Sequence, residues 1–353
     1  MSNDLDEIPP EINSAFAWYG PDMHQNREWL ITLSDTDIAE IELAVAGVIA
    51  AGVEIVDIGR DDFPLPGLGA RLREYMLEVL NGRGFVLLRG LPVWRWTRRE
   101  SAIAFWGLGA HMGPARSQNA AGHALGHVRD LGLSGSDPNV RIYQTHERQT
   151  FHTDSADIVG LLCLQTAQSG GLSALVSSVT VFNEMRRRRP DLLRLLFAPV
   201  ATDRRGEIPP GQKPWFEIPV FNWHAGLLSA IYQRQYVDSA QRFPEARRLT
   251  SELKEALDLF DDLTNDPALH FFMEFRPGDV QLVHNHTMLH DRTAFTDWPE
   301  PERRRHLLRL WLAPVEARPL PAVFAQRYGS VTPGARGGLN MPGVPLIAPL
   351  EAA

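Results

Sequence analysis

Residues 150–164, TFHTDSADIVGLLCL, join a polar head to an almost wholly apolar tail. The head contains His152 and Asp154, whose side chains are both common metal ligands. Residues i and i+2 of an extended chain lie on the same face, so one ion can reach both side chains. The tail predicts a strand buried in a core. The stretch therefore predicts a metal site at the leading edge of a buried strand.

A third ligand is expected downstream, because one His and one carboxylate from a short segment do not complete a metal site. The segment VHNHTMLHDRTAF contains His284, His286 and His290. All three have the same parity along an extended chain, so their spacing leaves the choice among them open. Two His and one carboxylate on one face of an octahedral ion leave three positions free. That arrangement suits Fe(II), oxygen and a bidentate acid.

The predicted elements favour an antiparallel sandwich or barrel with helices packed outside. Capping residues and Gly stops predict helices over 34–52, 68–84 and 98–113. Short strands dominate the later part of the chain, without a repeated βαβ rhythm. The other predicted elements are a strand over 84–93, a strand followed by a helix from near Ser178, a strand pair within 215–237, a helix over 245–265, two strands around a PGD turn within 269–295, and a final strand over 305–315.

Composition excludes several classes of protein. The chain has 353 residues, of which 35 are basic and 43 acidic, for a net charge of −8. This balance argues against nucleic-acid or membrane-surface partners and leaves a small-molecule substrate, in a monomer or a homo-oligomer. Cys163 is the single cysteine, so no intramolecular disulfide can form and a reducing, cytoplasmic location is expected. No secretion signal and no apolar run of membrane-spanning length are recognised.

Several motifs together resemble those of the taurine dioxygenase and clavaminate synthase-like superfamily of Fe(II)- and 2-oxoglutarate-dependent dioxygenases. They are FHTDS, the SGGLS turn, FRPGDVQLVHNHTMLHDRTAF and RRRHLLRLWL, with GFVLLRGLP as the early strand. The resemblance covers about 84–315. It implies a mixed α and β fold with a double-stranded β-helix (jelly-roll, cupin-like) core and flanking helices. It also implies Fe(II), 2-oxoglutarate and O2 as cofactor and co-substrates.

The expected domain organisation follows from this coverage. Residues 1–14 are expected to form a loose arm. A single catalytic domain is expected over 15–353, with a helical part to about 83, the jelly-roll core over about 84–315 and a C-terminal extension over 316–353.

The resemblance also implies a role for particular residues. The distal ligand of the superfamily is the His followed by x-Arg, which is His290 here, so His152, Asp154 and His290 are the expected metal ligands and catalytic centre. Arg305, on the last strand, is expected to bind the far carboxylate of 2-oxoglutarate, with Ser173 contacting the same group. Arg309 is expected to contact an anionic group of the prime substrate. A salt bridge from Arg309 to a protein acid is an equally good interpretation.

The substrate pocket is harder to predict than the metal site. The long polar, Gly-rich stretch over 114–140 is expected to be a mobile lid, which makes His123, His127 and Arg129 candidate pocket residues. Tyr143, Gln144 and Asn285 are further candidates.

The expected reaction is hydroxylation of an unactivated C–H bond with release of succinate and CO2, because the carboxylate ligand Asp154 is present. Related halogenases replace that carboxylate with a small residue. Desaturation or ring closure at the same centre stays open as the reaction. Two alternative functions also stay open: a non-redox metal enzyme of cupin type, acting as isomerase or hydrolase, and a catalytically silent binding protein of the same fold.

Overall fold

The computed structural model describes residues 8–137 and 139–352. The helices in this part of the chain are α1 (Gly20–Gln25), α2 (Asp35–Ala51), α3 (Leu68–Asn81), α4 (Arg98–Ala110), α5 (Ser178–Arg188), α6 (Pro190–Leu195), α7 (Arg234–Ala240), α8 (Ser251–Thr264) and α9 (Ala325–Tyr328). The strands are β1 (Leu30–Thr32), β2 (Phe85–Arg89), β3 (Leu125–Val128), β4 (Gln149–His152), β5 (Ile158–Gln165), β6 (Ser169–Gly170), β7 (Ser173–Ser177), β8 (Pro199–Asp203), β9 (Trp215–Pro219), β10 (Phe221–His224), β11 (Leu227–Ala230), β12 (His270–Met273), β13 (Val280–His284), β14 (Met288–Arg292), β15 (Phe295–Thr296) and β16 (His306–Leu312).

The N-terminal helices begin where their capping residues predict, and α2 also ends there. In α2, the Ser34 side chain accepts a hydrogen bond from the backbone N–H of Asp37, and the Asp37 carboxylate accepts one from the N–H of Ser34. Gly52 ends this helix with a φ of 67°, a left-handed conformation that glycine adopts without strain. The helices predicted over 68–84 and 98–113 are also present, but each ends about three residues early.

Two sheets organise the molecule. The larger has the order β1-β2-β13-β5-β16-β3, and the smaller has the order β12-β7-β14-β4. All neighbouring strands in them are antiparallel except β1 and β2. Helices α2, α3 and α4 pack with side chains of β2, β5, β13 and β16 of the larger sheet, while α5, α6 and α8 pack against the smaller sheet. Both sheets contribute residues to one cavity, so they face each other across it.

Several predicted elements differ from those observed. The stretch 269–295 forms three strands, and the PGD turn carries the chain from β12 in the smaller sheet to β13 in the larger one, so these strands do not pair. Within 228–237, only the first part is a strand; the rest enters α7, where Arg234 pairs with Asp238 one turn later. The expected lid over 114–140 contains β3, which is hydrogen-bonded to β16 at the edge of the larger sheet.

The two ends of the described chain pack on the core. Residues 1–7 of the expected N-terminal arm lie outside the described residues. The rest of that arm is bound rather than loose, because the Ile12 N–H donates to Asn183 Oδ1 and Arg186 Nε donates to the Pro9 carbonyl. Near the other end, the fully buried Arg336 forms a salt bridge with the equally buried Asp157. No helix among the described residues is both long and apolar enough to cross a membrane.

Candidate metal centre

His152, Asp154 and His290 converge at the mouth of the cavity. One ligand atom from each lies within 4.8 Å of the ligand atoms of the other two. His152 ends β4 and is paired directly with His290 of β14, which brings their ring centroids to 4.1 Å. Asp154 follows two residues later and points back to the same place, with Oδ2 at 3.8 Å from His290 Nε2.

Neighbouring groups orient two of these side chains. His152 Nδ1 donates a hydrogen bond to the Thr150 carbonyl at 2.8 Å, so Nε2 keeps its lone pair for a metal. The Gln149 amide donates to that same Nε2 at 2.8 Å, a hydrogen bond that a metal at this position would replace. Asp154 Oδ2 accepts hydrogen bonds from Trp311 Nε1 at 2.9 Å and from Arg309 Nη1 at 3.2 Å. Such partners of a metal ligand commonly set its orientation and its affinity for the metal.

The protonation states at neutral pH suit a divalent metal. Burial lowers the pKa of His152, and burial with the nearby His152 lowers the pKa of His290 to about 3, so both imidazoles are neutral. Burial alone would raise the pKa of Asp154, but Arg309 and the two histidines hold it below its usual value. Two neutral imidazoles and one carboxylate are a donor set that Fe(II) accepts, so the residues present fit this metal.

The structure separates His290 from the two histidines that share its parity. His284 Nδ1 hydrogen-bonds with Thr287 Oγ1, and His286 Nε2 donates to Asp157 Oδ1 at 2.9 Å. Neither belongs to the cluster of potential metal ligands. The β13–β14 turn starts a new strand in the other sheet, so parity counted across it does not determine which face a residue occupies.

A cavity of about 460 Å³ runs between the sheets from His152 and His290 to Arg305. Arg305 is 4% exposed, and its Nη1 has no hydrogen-bond partner within residues 8–137 and 139–352. No carboxylate lies within 4.0 Å of its guanidinium in that same part of the chain. A buried cation without a counterion is costly, so the site is built for an anion. Ser173 also lines this cavity, and its hydroxyl accepts a hydrogen bond from Gln281.

The glycines of the SGGLS turn give Arg305 its space. Gly171 has a φ of 67°, and a Cβ at this position would lie 2.9 Å from Arg305 Nε. A larger residue would therefore displace the guanidinium as well as strain the turn. The residues around Arg305 fit the far carboxylate of a dicarboxylic acid such as 2-oxoglutarate, whose keto-acid end would reach the metal ligands.

Arg309 lies nearer the metal ligands than Arg305 and is already paired. Its Nε donates to Gln118 Oε1 at 2.6 Å, its Nη1 contacts Asp154, and its guanidinium lies 4.6 Å from the centroid of the Tyr143 ring. The alternative of a salt bridge to a protein acid is therefore present in the structure. Arg309 nevertheless lines the cavity, as does Tyr143.

The other candidate pocket residues line neither this cavity nor a second one, described below, that also borders the metal ligands. Val128 of β3 faces the cavity, so its neighbours His127 and Arg129 point away, and His127 contacts His306 and the Pro349 carbonyl instead. The backbone of His123 forms an isolated parallel β-bridge with that of Ile347. These residues therefore do not line the cavities beside the metal ligands in this structure, and closure of 114–140 over the metal stays a prediction.

Two further candidates support the chain near the site instead of lining it. Gln144 accepts a hydrogen bond from the Arg141 backbone. Asn285 holds the ligand loop, because its Oδ1 accepts from the Asp154 N–H while its Nδ2 donates to the Asp154 and Ala156 carbonyls.

A second cavity of about 620 Å³ opens on the other side of Asp154 and was not anticipated from the sequence. It is lined by Arg141, Arg204 and Arg327, together with Phe216 and Tyr236. These residues come from five separate elements or loops and have no shared spacing. Their one sequence signal is the presence of arginines in segments without a motif, which is too common to identify a site.

Comparisons with known proteins agree with this geometry. The profile of the family described as "Taurine catabolism dioxygenase TauD, TfdA family" matches residues 50–311. FR-33289 synthase of Streptomyces rubellomurinus is 32% identical over 328 residues, covering 90% of this chain and 95% of that protein. Uridine-5'-phosphate dioxygenase of an Amycolatopsis species is 28% identical over 177 residues, covering 47% of this chain and 62% of that protein.

The fold is shared with solved oxygenase structures. An asparagine oxygenase in complex with Fe(II), 2S,3S-3-hydroxyasparagine and succinate superposes with a TM-score of 0.62 at 16% identity, covering 81% of this chain and 93% of the oxygenase. The family match argues against both the cupin-type isomerase or hydrolase and the silent binding protein. The chain belongs to the taurine catabolism dioxygenase TauD, TfdA family, and it is an Fe(II)- and 2-oxoglutarate-dependent dioxygenase.

Proposed function

We propose that the protein hydroxylates an unactivated C–H bond of a small, anionic organic substrate and converts 2-oxoglutarate to succinate and CO2. The observation that carries this proposal is the convergence of His152, Asp154 and His290 within 4.8 Å. The Arg305 side chain is buried at the far end of the same cavity and has no counterion in the part of the chain that the structure describes, which supports 2-oxoglutarate as the co-substrate.

The roles of the residues follow from their contacts. Iron(II) held by His152, Asp154 and His290 supplies, with 2-oxoglutarate and O2, the oxidising power needed to break an unactivated C–H bond. Arg305 binds the far carboxylate of 2-oxoglutarate and so fixes its direction in the cavity, with Ser173 as a second contact. The buried walls exclude water, which protects the site from side reactions.

Two observations support an anionic substrate. The cavity beside Asp154 is lined by several arginines. One relative, uridine-5'-phosphate dioxygenase, is named for a phosphorylated substrate. Phosphates and similar anions are recognised by guanidinium groups.

We also propose that the two sheets form a double-stranded β-helix. The four strands β12, β13, β14 and β16 alternate between the smaller and larger sheets along the chain, which supports this architecture. The lone, buried Cys163 is compatible with a reducing location, and the cytoplasm is the proposed setting. A homo-oligomer is compatible with the same site.

An anaerobic titration tests the proposal directly. Fe(II) is added to the protein with and without 2-oxoglutarate, and the visible spectrum is recorded. A weak charge-transfer band that requires both additions, and that Arg305→Ala shifts to higher 2-oxoglutarate concentrations, is the expected result. A substrate panel read by succinate formation then identifies the prime substrate. Stoichiometric Zn(II) binding with no response to 2-oxoglutarate would contradict the proposal.

A further inference from the structure

Four arginines line the second cavity, next to the metal ligands but on the side away from Arg305. Arg309 is paired with Asp154, which leaves Arg141, Arg204 and Arg327. Arg204 and Arg327 both lie near the Phe216 ring, with guanidinium carbons 5.4 Å and 5.9 Å from its centroid. Arg327 Nε donates to Ser155 Oγ at 2.7 Å, which places this guanidinium beside the residue that follows the ligand Asp154. Arg141 lines the same cavity.

The charges of this group are only partly neutralised. Arg141 forms a salt bridge with Glu207. Within residues 8–137 and 139–352, no carboxylate lies within 4.0 Å of the guanidinium of Arg204 or Arg327. Arg204 donates through Nε and Nη2 to the carbonyls of Lys213 and Gln326, neutral acceptors that do not balance its charge.

The remaining acids at this cavity are committed elsewhere. Asp203 forms a salt bridge with Arg242 at 3.1 Å, and Asp154 with Arg309 at 3.2 Å. Burial and the neighbouring Arg327 lower the pKa of Arg204 to about 10, so this residue is still charged at neutral pH. Among the described residues, the positive charges of Arg204 and Arg327 therefore have no counterion, and burial next to the site of oxidation makes such charges costly.

Free donors are available for a ligand in this group. Arg327 Nη1 and Arg141 Nε are buried and have no hydrogen-bond partner within the described part of the chain. Donors from different arginines approach from different directions, as the oxygens of a tetrahedral anion do. A planar carboxylate presents two oxygens and one charge, whereas a phosphonate or phosphate monoester presents three oxygens and about two charges.

We propose that Arg141, Arg204 and Arg327 form a binding site for a tetrahedral dianionic group of the prime substrate, a phosphonate or phosphate monoester. The inference rests on the proposed function, because it names the class of substrate that the same metal site oxidises. It assigns substrate recognition to Arg327 of the C-terminal extension, and it leaves Arg309 paired with Asp154. Arg327 is hydrogen-bonded to Ser155, the residue that follows the metal ligand Asp154. The C–H bond to be oxidised therefore lies a few bonds from the anionic group.

Binding is tested without turnover. Protein loaded with Fe(II) and 2-oxoglutarate is titrated anaerobically by calorimetry with propylphosphonate, propyl phosphate, propanesulfonate and butyrate, at a pH where the first two are dianions. The two dianions are expected to bind at least about tenfold more tightly than butyrate. The affinity for propanesulfonate is expected to lie between that for the dianions and that for butyrate. The tighter of the two dianions distinguishes a phosphonate from a phosphate ester as the natural group.

Variants connect that preference to the cavity. Arg327→Gln is expected to weaken propylphosphonate binding by about tenfold or more, and Arg327→Lys by less, because lysine keeps the charge but not the planar geometry. Arg99→Gln, a matched loss of charge at an exposed position, is expected to change nothing. Circular dichroism verifies that each variant is folded.

Two results would overturn the assignment: butyrate binding as tightly as propylphosphonate to the unchanged protein, or full propylphosphonate affinity in folded Arg327→Gln. In either case, intact binding of Fe(II) and 2-oxoglutarate in the same samples leaves the proposed function standing. Loss of that binding in the unchanged protein would instead contradict the proposed function, and this inference with it.

Discussion

Trp311 Nε1 donates a hydrogen bond over 2.9 Å to Asp154 Oδ2, from β16 of the larger sheet to the loop that follows β4 of the smaller one. Both side chains are buried. The hydrogen bond connects β16, the strand that carries Arg309, to a metal ligand. It therefore fixes the position of one sheet relative to the other at the cavity.

Trp311→Phe is therefore expected to lower the affinity for Fe(II) by about tenfold, within the range usual for loss of a hydrogen bond to a metal ligand. The aromatic ring keeps most of the packing, so the protein stays folded. Equilibrium dialysis followed by elemental analysis measures the bound iron. Trp94→Phe, at a residue that is 72% exposed, is the matched control. Unchanged iron affinity in Trp311→Phe would show that Arg309 alone orients the carboxylate.

His152→Ala, Asp154→Ala and His290→Ala are each expected to abolish iron-dependent turnover while the protein stays folded, because core packing does not depend on these side chains. His286→Ala should keep its metal but lose stability, since it removes the hydrogen bond to Asp157. Metal content and thermal unfolding are measured together. If His286→Ala loses iron and His290→Ala does not, the ligand assignment is wrong.

Arg305→Ala and Arg309→Ala should have different kinetic consequences. The first is expected to raise the KM for 2-oxoglutarate by about a hundredfold, because a buried, charge-assisted contact is lost. The second should mainly lower iron affinity, since Arg309 is bonded to Asp154 in the structure. Steady-state kinetics at saturating iron separate the two effects. If the KM for 2-oxoglutarate rises in Arg309→Ala and not in Arg305→Ala, the roles assigned to the two arginines are reversed.

Acid should destabilise the protein partly through His306. Burial and the adjacent His127 lower its pKa to about 3. In the unfolded chain this imidazole has an ordinary pKa of about 6.5, so as the pH falls the unfolded state is protonated before the folded state. The free energy of unfolding is therefore highest above about pH 6.5 and decreases as the pH falls below it. The expected slope is up to about 1.4 kcal/mol per pH unit. Urea unfolding of metal-free protein between those two pKa values measures it, and His306→Gln should show a shallower decline. Parallel curves would contradict the assignment.

The C-terminal extension should contribute strongly to stability through Arg336. This side chain is fully buried and bonds to both oxygens of Asp157. Arg336→Met leaves a buried carboxylate without its cation, which is expected to cost about 3–5 kcal/mol. Urea unfolding at neutral pH provides the measurement, with the exposed Arg99→Met as control. A loss below about 1 kcal/mol would mean that His286 alone compensates Asp157.

Local patterns were sufficient for the elements and for the nature of the metal site. Ser34 and Gly52 define the ends of α2 through contacts with residues a few positions away, so both ends of the helix can be predicted from the sequence alone. The pair His152 and Asp154 shares a face because of strand geometry alone.

Contacts between distant segments were decided only by the tertiary structure. Spacing could not choose among His284, His286 and His290, because the chain changes sheets at the turn between β13 and β14. The same applies to Arg309, whose acid partner lies 155 residues earlier in the chain. Arg327 reaches the metal-side cavity because the C-terminal extension folds back over the core. A residue's own sequence neighbourhood specifies its backbone conformation, but its charge partner depends on how the sheets and the extension pack.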